Sequence, residues 1–171
     1  MPRYVAFLRG VSPINLKMPD LKLCCEDAGF GNVKTLRSSG NVAFDASSRS
    51  QVAVARKLEA AMSVRLGRSF MTFARRTTDL QKLVDEDPWA AFDLPPEAKR
   101  IVTFLQAPLS DTIALPPEKD GARMLAVVGG EVFSAYVPHA GSPAFMTVIE
   151  KTLGKNVTTR TLGTVGKCAN A

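Results

Sequence analysis

Short apolar runs and amphipathic stretches alternate along the first half of the chain. The first apolar run, residues 4–8, has no polar alternation and predicts a buried strand that Arg9 and Gly10 end. A helix is predicted between Pro19 and Gly29, because proline favours the first turn of a helix and glycine the position after its last turn. The chain therefore begins with a strand, a polar loop and a helix.

Further segments extend this order. Ser38-Ser39-Gly40-Asn41 separates two short apolar runs, and its glycine and asparagine favour a tight hairpin between two strands. Ser48, with Gln51 three residues later, predicts the N-cap of a second helix, which Gly67 ends. A fourth strand is predicted at residues 70–73. The resulting order, β-α-β-β-α-β, is that of a ferredoxin-like plait.

The second half of the chain is less regular, and the chain has no long repeat beyond a loose echo of strand pairs and helices. Its predicted strands lie at residues 101–105, 124–128, 132–137 and 156–161. Ser142 and Pro143 predict the start of a helix between the last two of these strands. We therefore expect an α+β fold in two parts that form one compact unit. These are a ferredoxin-like βαββαβ plait at residues 1–76 and a second, smaller α+β subdomain at residues 77–171, packed against it.

The absence of polar alternation in several predicted strands indicates whether one or both faces of the sheet are buried. A lone plait buries one sheet face under its helices, but residues 5–8 and 101–105 are apolar at most successive positions. We expect the second face to be buried as well, under the C-terminal half or under a second copy in a homodimer. RNA binding on that face is disfavoured, because Val42 and Phe44 form a poor stacking platform.

Composition places the chain among globular proteins. Of its 171 residues, 46% are hydrophobic, and its mean hydropathy of +0.03 disfavours disorder. No apolar run approaches the roughly 20 residues that span a bilayer, and the N-terminal residues do not have the pattern of a signal peptide. We therefore expect a cytoplasmic protein without a membrane partner. Cys24, Cys25 and Cys168 have no Cys-x-x-Cys spacing, so buried thiols are favoured over a disulfide framework or a metal site.

Positive charge is concentrated in the first half. The net charge is +6, and residues 1–87 contain 14 Lys and Arg against 9 Asp and Glu, whereas residues 88–171 contain 8 against 7. This excess permits an anionic partner such as a nucleotide, a nucleic acid or an anionic small molecule. An excess of this size also serves solubility.

One edge of the predicted plait gathers groups that suit an anion. In the strand order 4-1-3-2, the end of the first strand, the hairpin turn, the start of the first helix and the end of the second helix near Arg68 share this edge. Cationic, hydroxyl and amide side chains with glycine N–H groups suit a phosphate or a carboxylate there. Turn formation and strand capping also explain the same residue types. The candidate ligand-binding residues at this edge are Arg9, Gly10, Asn15, Lys17, Ser39, Gly40 and Asn41.

The sequence does not specify a reaction. His139 is the only histidine, and neither a phosphate-binding P-loop nor a Gly-x-Gly-x-x-Gly motif occurs. We predict no metal site and no cofactor, and whether the protein is an enzyme stays open. Three hypotheses follow: a binder of a phosphate-bearing ligand (a nucleotide or nucleic acid), a small enzyme acting on an anionic metabolite, and a homo-oligomeric or partner-binding structural module.

Several segments spread along the chain follow the pattern of a known family. Among them are Ala6-Phe7-Leu8-Arg9-Gly10-Val11, Ala28-Gly29-Phe30, Ser39-Gly40-Asn41-Val42-Ala43-Phe44 and Thr158-Thr159-Arg160-Thr161. In this order they resemble the bacterial proteins called domain of unknown function 1697. The resemblance implies a ferredoxin-like N-terminal part with an α+β remainder, and it implies no established activity.

This chain departs from the family pattern in two places. The loop after Arg9 lacks the paired glycines that the family usually has, and Leu162 and Gly163 stand where the family has Trp and Asn. Arg160 keeps the family pattern. Because its threonine-rich, basic segment suits an anion, Arg160 joins the candidate ligand-binding residues.

Overall fold

The computed structural model describes residues 1–36, 40–108, 115–118, 121–138 and 144–171. Over these residues the protein is α+β, with two four-stranded antiparallel sheets and five α-helices. The chain divides into two units, one formed by residues 1–82 with 166–171 and the other by residues 83–165. The α+β class predicted from the sequence is thereby confirmed.

The first unit contains a sheet with two helices between its strands. Its elements are β1 (Arg3–Leu8), α1 (Met18–Asp27), β2 (Gly31–Leu36), β3 (Asn41–Asp45), α2 (Gln51–Leu66) and β4 (Thr72–Arg76). The strand order in the sheet is β2-β3-β1-β4, and every neighbouring pair is antiparallel. β1 is therefore central, and its C-terminal end leads through residues 9–17 to the start of α1.

The central strand β1 is buried on both faces of the sheet. Alternate residues of β1, such as Tyr4 and Leu8, pack with Leu21 of α1 and Leu58 of α2 in one apolar core. The residues between them point to the opposite face, and of these Phe7 has no exposed surface either. This confirms the prediction, made from the absence of polar alternation, that the second face is covered.

Two local predictions differ from the structure. The N-cap of α2 is Ser50, whose Oγ accepts a hydrogen bond from the backbone N–H of Ala53 at 3.1 Å, and not Ser48. The helix begins at Gln51, so only the residue directly before it can reach the free N–H groups of the first turn. β4 begins at Thr72 and extends to Arg76, because cross-strand pairing with β1, and not side-chain polarity, sets its ends.

The second unit contains the other sheet. Its elements are β5 (Lys99–Leu105), β6 (Ala122–Val128), β7 (Glu131–Tyr136), α4 (Ala144–Leu153) and β8 (Val157–Thr161). Two helices cross the boundary between the units: α3 (Thr77–Glu86) follows β4, and α5 (Leu162–Ala169) follows β8. The predicted helix start at Ser142 and Pro143 lies outside the described residues.

A short 3₁₀ turn completes the second unit. Trp89, in the turn Pro88–Ala91, is fully buried and donates its Nε1–H to the backbone oxygen of Ser134 at 2.9 Å. Its ring also meets the ring of Phe133 edge to face, with the centroids 5.2 Å apart. A buried indole needs such a partner for its N–H group. The turn is thereby fixed to β7.

The two sheets share one topology. The second sheet has the order β6-β7-β5-β8, which repeats the order β2-β3-β1-β4 element by element. The correspondence extends to single hydrogen bonds: Leu8 N–H donates to Gly40 O at 2.9 Å, and Leu105 N–H donates to Gly130 O at 2.8 Å. In the sequence this repeat is evident only as a loose echo in the order of strand pairs and helices, because strand pairing depends on backbone groups that every residue carries.

The three cysteines are free and buried, as predicted. Burial raises the pKa of the Cys25 thiol and, to a smaller extent in the same direction, that of Cys24. Both thiols are therefore protonated at neutral pH and behave as small apolar side chains.

Candidate functional site

The loop between β1 and α1 is closed by the side chain of Asn15. Its Nδ2 donates to Gly10 O at 2.7 Å, and its Oδ1 accepts from the backbone N–H of Ser12 at 2.8 Å. Gly10 has φ +75°, which lets the chain turn sharply as it leaves the sheet. Asn15 therefore holds the loop in shape, with one hydrogen bond from its amide group and one to its side-chain oxygen made within the loop.

Arg68 connects this loop to the end of α2. Gly67, with φ +72°, ends that helix in the left-handed conformation, and the next residue projects toward the loop. Arg68 Nη2 donates a hydrogen bond to Asn15 O, and the guanidinium carbon lies 5.1 Å from the centroid of the Phe70 ring. One of the five guanidinium N–H groups is used in this hydrogen bond, so the cation is positioned and can still bind other groups.

Lys17 occupies the N-cap position of α1. It has extended backbone angles, and no side chain caps the first turn, which has a proline and the acidic Asp20. Within the described parts of the chain, the Lys17 ammonium group makes no hydrogen bond or ion pair. The start of α1 thus combines a free cation with the positive end of a helix dipole.

These groups line a cleft of about 180 Å³. Lys17 and Arg68 supply two positive charges to its wall, and Asp20 supplies one negative charge. Leu16 and Leu66 supply apolar surface. The wall therefore carries one net positive charge, at the point where residues 14–20 meet the end of α2.

Gly40 and Asn41 lie beside this region but are used by the fold. A Cβ atom on Gly40, which has φ +83°, would lie 2.9 Å from Val11 Cβ, so the hairpin packs tightly against the start of the loop. Asn41 has no exposed surface, and its Nδ2 donates to Leu36 O at 3.2 Å, which closes the β2–β3 hairpin. Their turn chemistry has a structural role.

Arg9, which follows the end of β1, does not line this cleft. Arg9 is partly buried, and its backbone N–H donates to Met71 O at 2.9 Å. Ser39, together with Ser38 of the same predicted turn, lies outside the described residues, and so does His139.

Arg160 belongs to β8, in the second unit. Its Nη1 donates to Thr158 Oγ1 at 2.7 Å and to Thr159 O at 2.8 Å. Arg75 occupies the equivalent position in the first sheet and makes the same hydrogen bond, from Nη1 to Ala74 O, at 2.9 Å. The repeated contact indicates that the strand conformation itself sets the position of each arginine.

Two charged residues of the cleft were not among the candidate ligand-binding residues, although the sequence placed the end of the second helix near Arg68 at this edge. Arg68 and Asp20 carry charges of opposite sign into it, and neither stands in a recognisable motif. The glycine at position 67 was the available signal for Arg68, because a left-handed helix end fixes where the next residue points. Asp20 has the ordinary appearance of an acidic residue in a first helical turn.

In the described part of the chain, no group of three or more His, Cys, Asp or Glu side chains is placed to hold a metal ion. None of the described helices combines the length and the apolar character required to cross a bilayer.

Comparison with solved structures finds a protein of the same fold. The conserved bacterial protein SP0830 from Streptococcus pneumoniae matches 99% of this chain and 97% of its own, with a TM-score of 0.66 and 16% sequence identity. At that identity the likeness concerns the fold alone. No curated protein matches the sequence. The model of the family described as "Protein of unknown function (DUF1697)" matches residues 1–133, which confirms the resemblance, and the chain belongs to this family.

Proposed function

We propose that the protein binds a phosphate-bearing ligand, a nucleotide or nucleic acid, with the phosphate in the cleft at the start of α1. The observation that carries this proposal is that Lys17 and Arg68 line one cleft beside an uncapped helix N-terminus. Cationic side chains bind phosphate in many proteins, and the positive end of a helix dipole favours an anion beside it.

The size and charge of the cleft support the same ligand chemistry. A volume of about 180 Å³ is below the roughly 300–1,000 Å³ of most small-molecule pockets, so it suits the phosphate group with the rest of the ligand outside. Asp20 opposes an anion, but two cations outnumber it. The positive charge concentrated in residues 1–87 would attract an anionic ligand over a longer range.

We further propose that the first unit is a ferredoxin-like plait in a cytoplasmic protein. The strand order β2-β3-β1-β4 supports the plait, since it is the order 4-1-3-2 read from the other edge. In this arrangement the end of β1 and the start of α1 lie at one edge of the sheet, beside the end of α2. The free, buried thiols agree with a reducing compartment.

Titration of the protein with inorganic phosphate, ADP and a short single-stranded oligonucleotide tests the binding proposal. The double variant Lys17→Gln, Arg68→Gln removes both cations of the cleft, and we expect the affinity to fall by about tenfold or more. Lys22→Gln with Arg56→Gln is the matched control. Both residues are exposed and are not part of the cleft wall. Lys22 lies on α1 and Arg56 on α2, the two helices whose ends adjoin Lys17 and Arg68.

The loss of affinity in the double variant of the cleft is compared with the loss in the control variant. An equal loss in both pairs would mean that overall charge, and not the cleft, attracts the ligand. No saturable binding of any of the three probes by the wild-type protein would refute the proposal. Arg9→Ala and Arg160→Ala, measured in the same way, test the two other cations predicted from the sequence. A loss with Arg9→Ala would extend the site along the end of β1.

A further inference from the structure

The second unit contains a larger cleft, of about 320 Å³, between α4 and the second sheet. Ile101 of β5 and Tyr136 of β7 line it on the sheet side, and Phe145 lines it on the side of α4. Thr161, at the end of β8, and Thr164, in the first turn of α5, also line it. This cleft lies within one unit and is separate from the cleft at the start of α1.

The topological repeat shows what fills the equivalent place in the first unit. Leu8 and Leu105 make the same hydrogen bond to a hairpin glycine, so Tyr4 and Ile101, four positions earlier, are equivalent. Each belongs to a row of three side chains that crosses the sheet on its helix-covered face. The row in the first unit is Phe44, Tyr4 and Arg76, and the row in the second is Ser134, Ile101 and Thr161.

In the first unit, the positions of this row carry large side chains. Tyr4 has no exposed surface, its hydroxyl donates to Ser48 O at 2.8 Å, and the guanidinium carbon of Arg76 lies 5.9 Å from its ring centroid. At every position of the row, the second unit has a smaller side chain. Two of these residues, Ile101 and Thr161, line the cleft. The cleft therefore occupies the space that an aromatic ring and a cation fill in the first unit.

The walls of the cleft suit an aromatic ring. The Tyr136 and Phe145 rings stack with centroids 4.6 Å apart and an angle of 18° between their planes, which presents a flat aromatic surface. Thr161 Oγ1 and Thr164 Oγ1 are 3.1 Å apart, and both residues line the cleft. None of the described residues lining the cleft is acidic.

A buried hydroxyl without a hydrogen-bond partner lies next to the cleft. Ser134 Oγ has no hydrogen-bond partner among the described residues, and Ser134 is fully buried. It lies directly across from Ile101, which lines the cleft, although Ser134 itself is not part of the cleft wall. An unsatisfied buried hydroxyl is costly, and such groups are commonly completed by a water or a ligand.

We propose that this cleft binds a small planar aromatic molecule carrying a hydroxyl group, which takes the place of the Tyr4 side chain of the first unit. The ring packs against the Tyr136–Phe145 pair and Ile101. The hydroxyl group of the ligand forms hydrogen bonds with side-chain hydroxyls of the sheet and of the start of α5.

The test uses p-cresol, the side-chain analogue of tyrosine, in NMR titrations of the isotopically labelled protein. We expect saturable shifts of the backbone amides of Ile101, Phe145 and Thr161, with a dissociation constant on the order of millimolar. Toluene, which lacks the hydroxyl group, is expected to bind more weakly, and cyclohexanol, which lacks the aromatic ring, is expected not to bind. Absence of saturable shifts with p-cresol would overturn the proposal, and toluene binding as tightly as p-cresol would refute the role of the hydroxyl group.

Two variants then locate the site. Ile101→Tyr restores the residue of the first unit and should fill the cleft, so p-cresol affinity should fall by about tenfold or more, whereas Ile101→Val should leave it within about twofold. Phe145→Leu keeps an apolar side chain but removes the stacked ring. It tests the same site if the Ile101→Tyr protein does not fold. Weaker binding in either variant supports the site, and wild-type affinity in a folded Phe145→Leu protein overturns it.

Discussion

Arg3 and Asp45 form an ion pair across the ends of β1 and β3, with Arg3 Nη1 2.9 Å from Asp45 Oδ1. Asn32 Nδ2 donates to the other carboxylate oxygen at 2.6 Å, and Arg3 Nε donates to the backbone oxygen of Ala171 at 2.8 Å. One carboxylate thus connects three strands of the first sheet through two side chains. The hydrogen bond from Asn32, together with Arg3, lowers the pKa of Asp45.

The stabilising effect of Asp45 should depend on pH. Because its pKa is lower in the folded state, its charge stabilises the fold above the unfolded pKa of about 3.9. That contribution is lost as the pH falls through the lower, folded value. We expect Asp45→Asn to lower the unfolding midpoint near neutral pH, and the difference from the wild type to shrink as the pH falls below about 4. Thermal unfolding of both proteins between pH 7 and pH 3 measures it.

The control for this prediction removes the partner. In an Arg3→Ala background, the cost of Asp45→Asn near neutral pH should be smaller, because one of the two groups that favour the carboxylate is gone. A cost that is the same in both backgrounds would contradict a contribution from the ion pair.

Gly40 should tolerate alanine less well than Gly10 does. Both have positive φ, which costs an alanine about 1 kcal/mol or more. At Gly40 the new Cβ would also lie 2.9 Å from Val11 Cβ and 3.1 Å from Leu8 Cβ, whereas at Gly10 it would meet nothing within 4 Å. The overpacking adds about 1–3 kcal/mol at Gly40. Urea unfolding of the two variants compares them directly, and an equal loss would mean that the hairpin can move away from the loop.

Asn15→Ala should loosen the loop that leads to α1. The variant loses the hydrogen bonds to Gly10 and Ser12, and we expect a loss of about 1–2 kcal/mol in the free energy of unfolding. Asn15→Asp keeps an acceptor for the Ser12 N–H but loses the donor to Gly10, so its loss should be smaller. Faster hydrogen exchange at Ser12 and Leu16 would locate the effect in the loop. Unchanged stability in Asn15→Ala would show that other contacts hold the loop.

Single residues in the sequence predicted the ends of the first two helices closely. Proline at position 19 and glycines at 29 and 67 act within one turn of helix, so they mark helix ends whatever the rest of the chain does. The N-cap of α2 was assigned two residues too early, since two serines, Ser48 and Ser50, offer nearly the same signal. Only the hydrogen bond that the helix makes distinguishes them.

The candidate site was predictable as a region and not as a set of side chains. The strand order explains why the end of β1 meets the start of α1. Of the residues chosen from the sequence, Lys17 lines the cleft with its charge unpaired within the described chain, whereas Gly40 and Asn41 close the hairpin. Residue type alone does not separate these roles, because turn formation and ligand binding favour the same residues.

The sequence by itself determined the α+β class, the approximate positions of the helices and strands, and the burial of both faces at β1. These features follow from patterns that span a few residues. Only the tertiary structure placed Arg68 on the loop of Asn15, showed that the second sheet repeats the first, and set Ile101 where the first unit has Tyr4. Such relationships join residues that lie dozens of positions apart. They depend on backbone pairing and packing, which no local pattern of residues encodes.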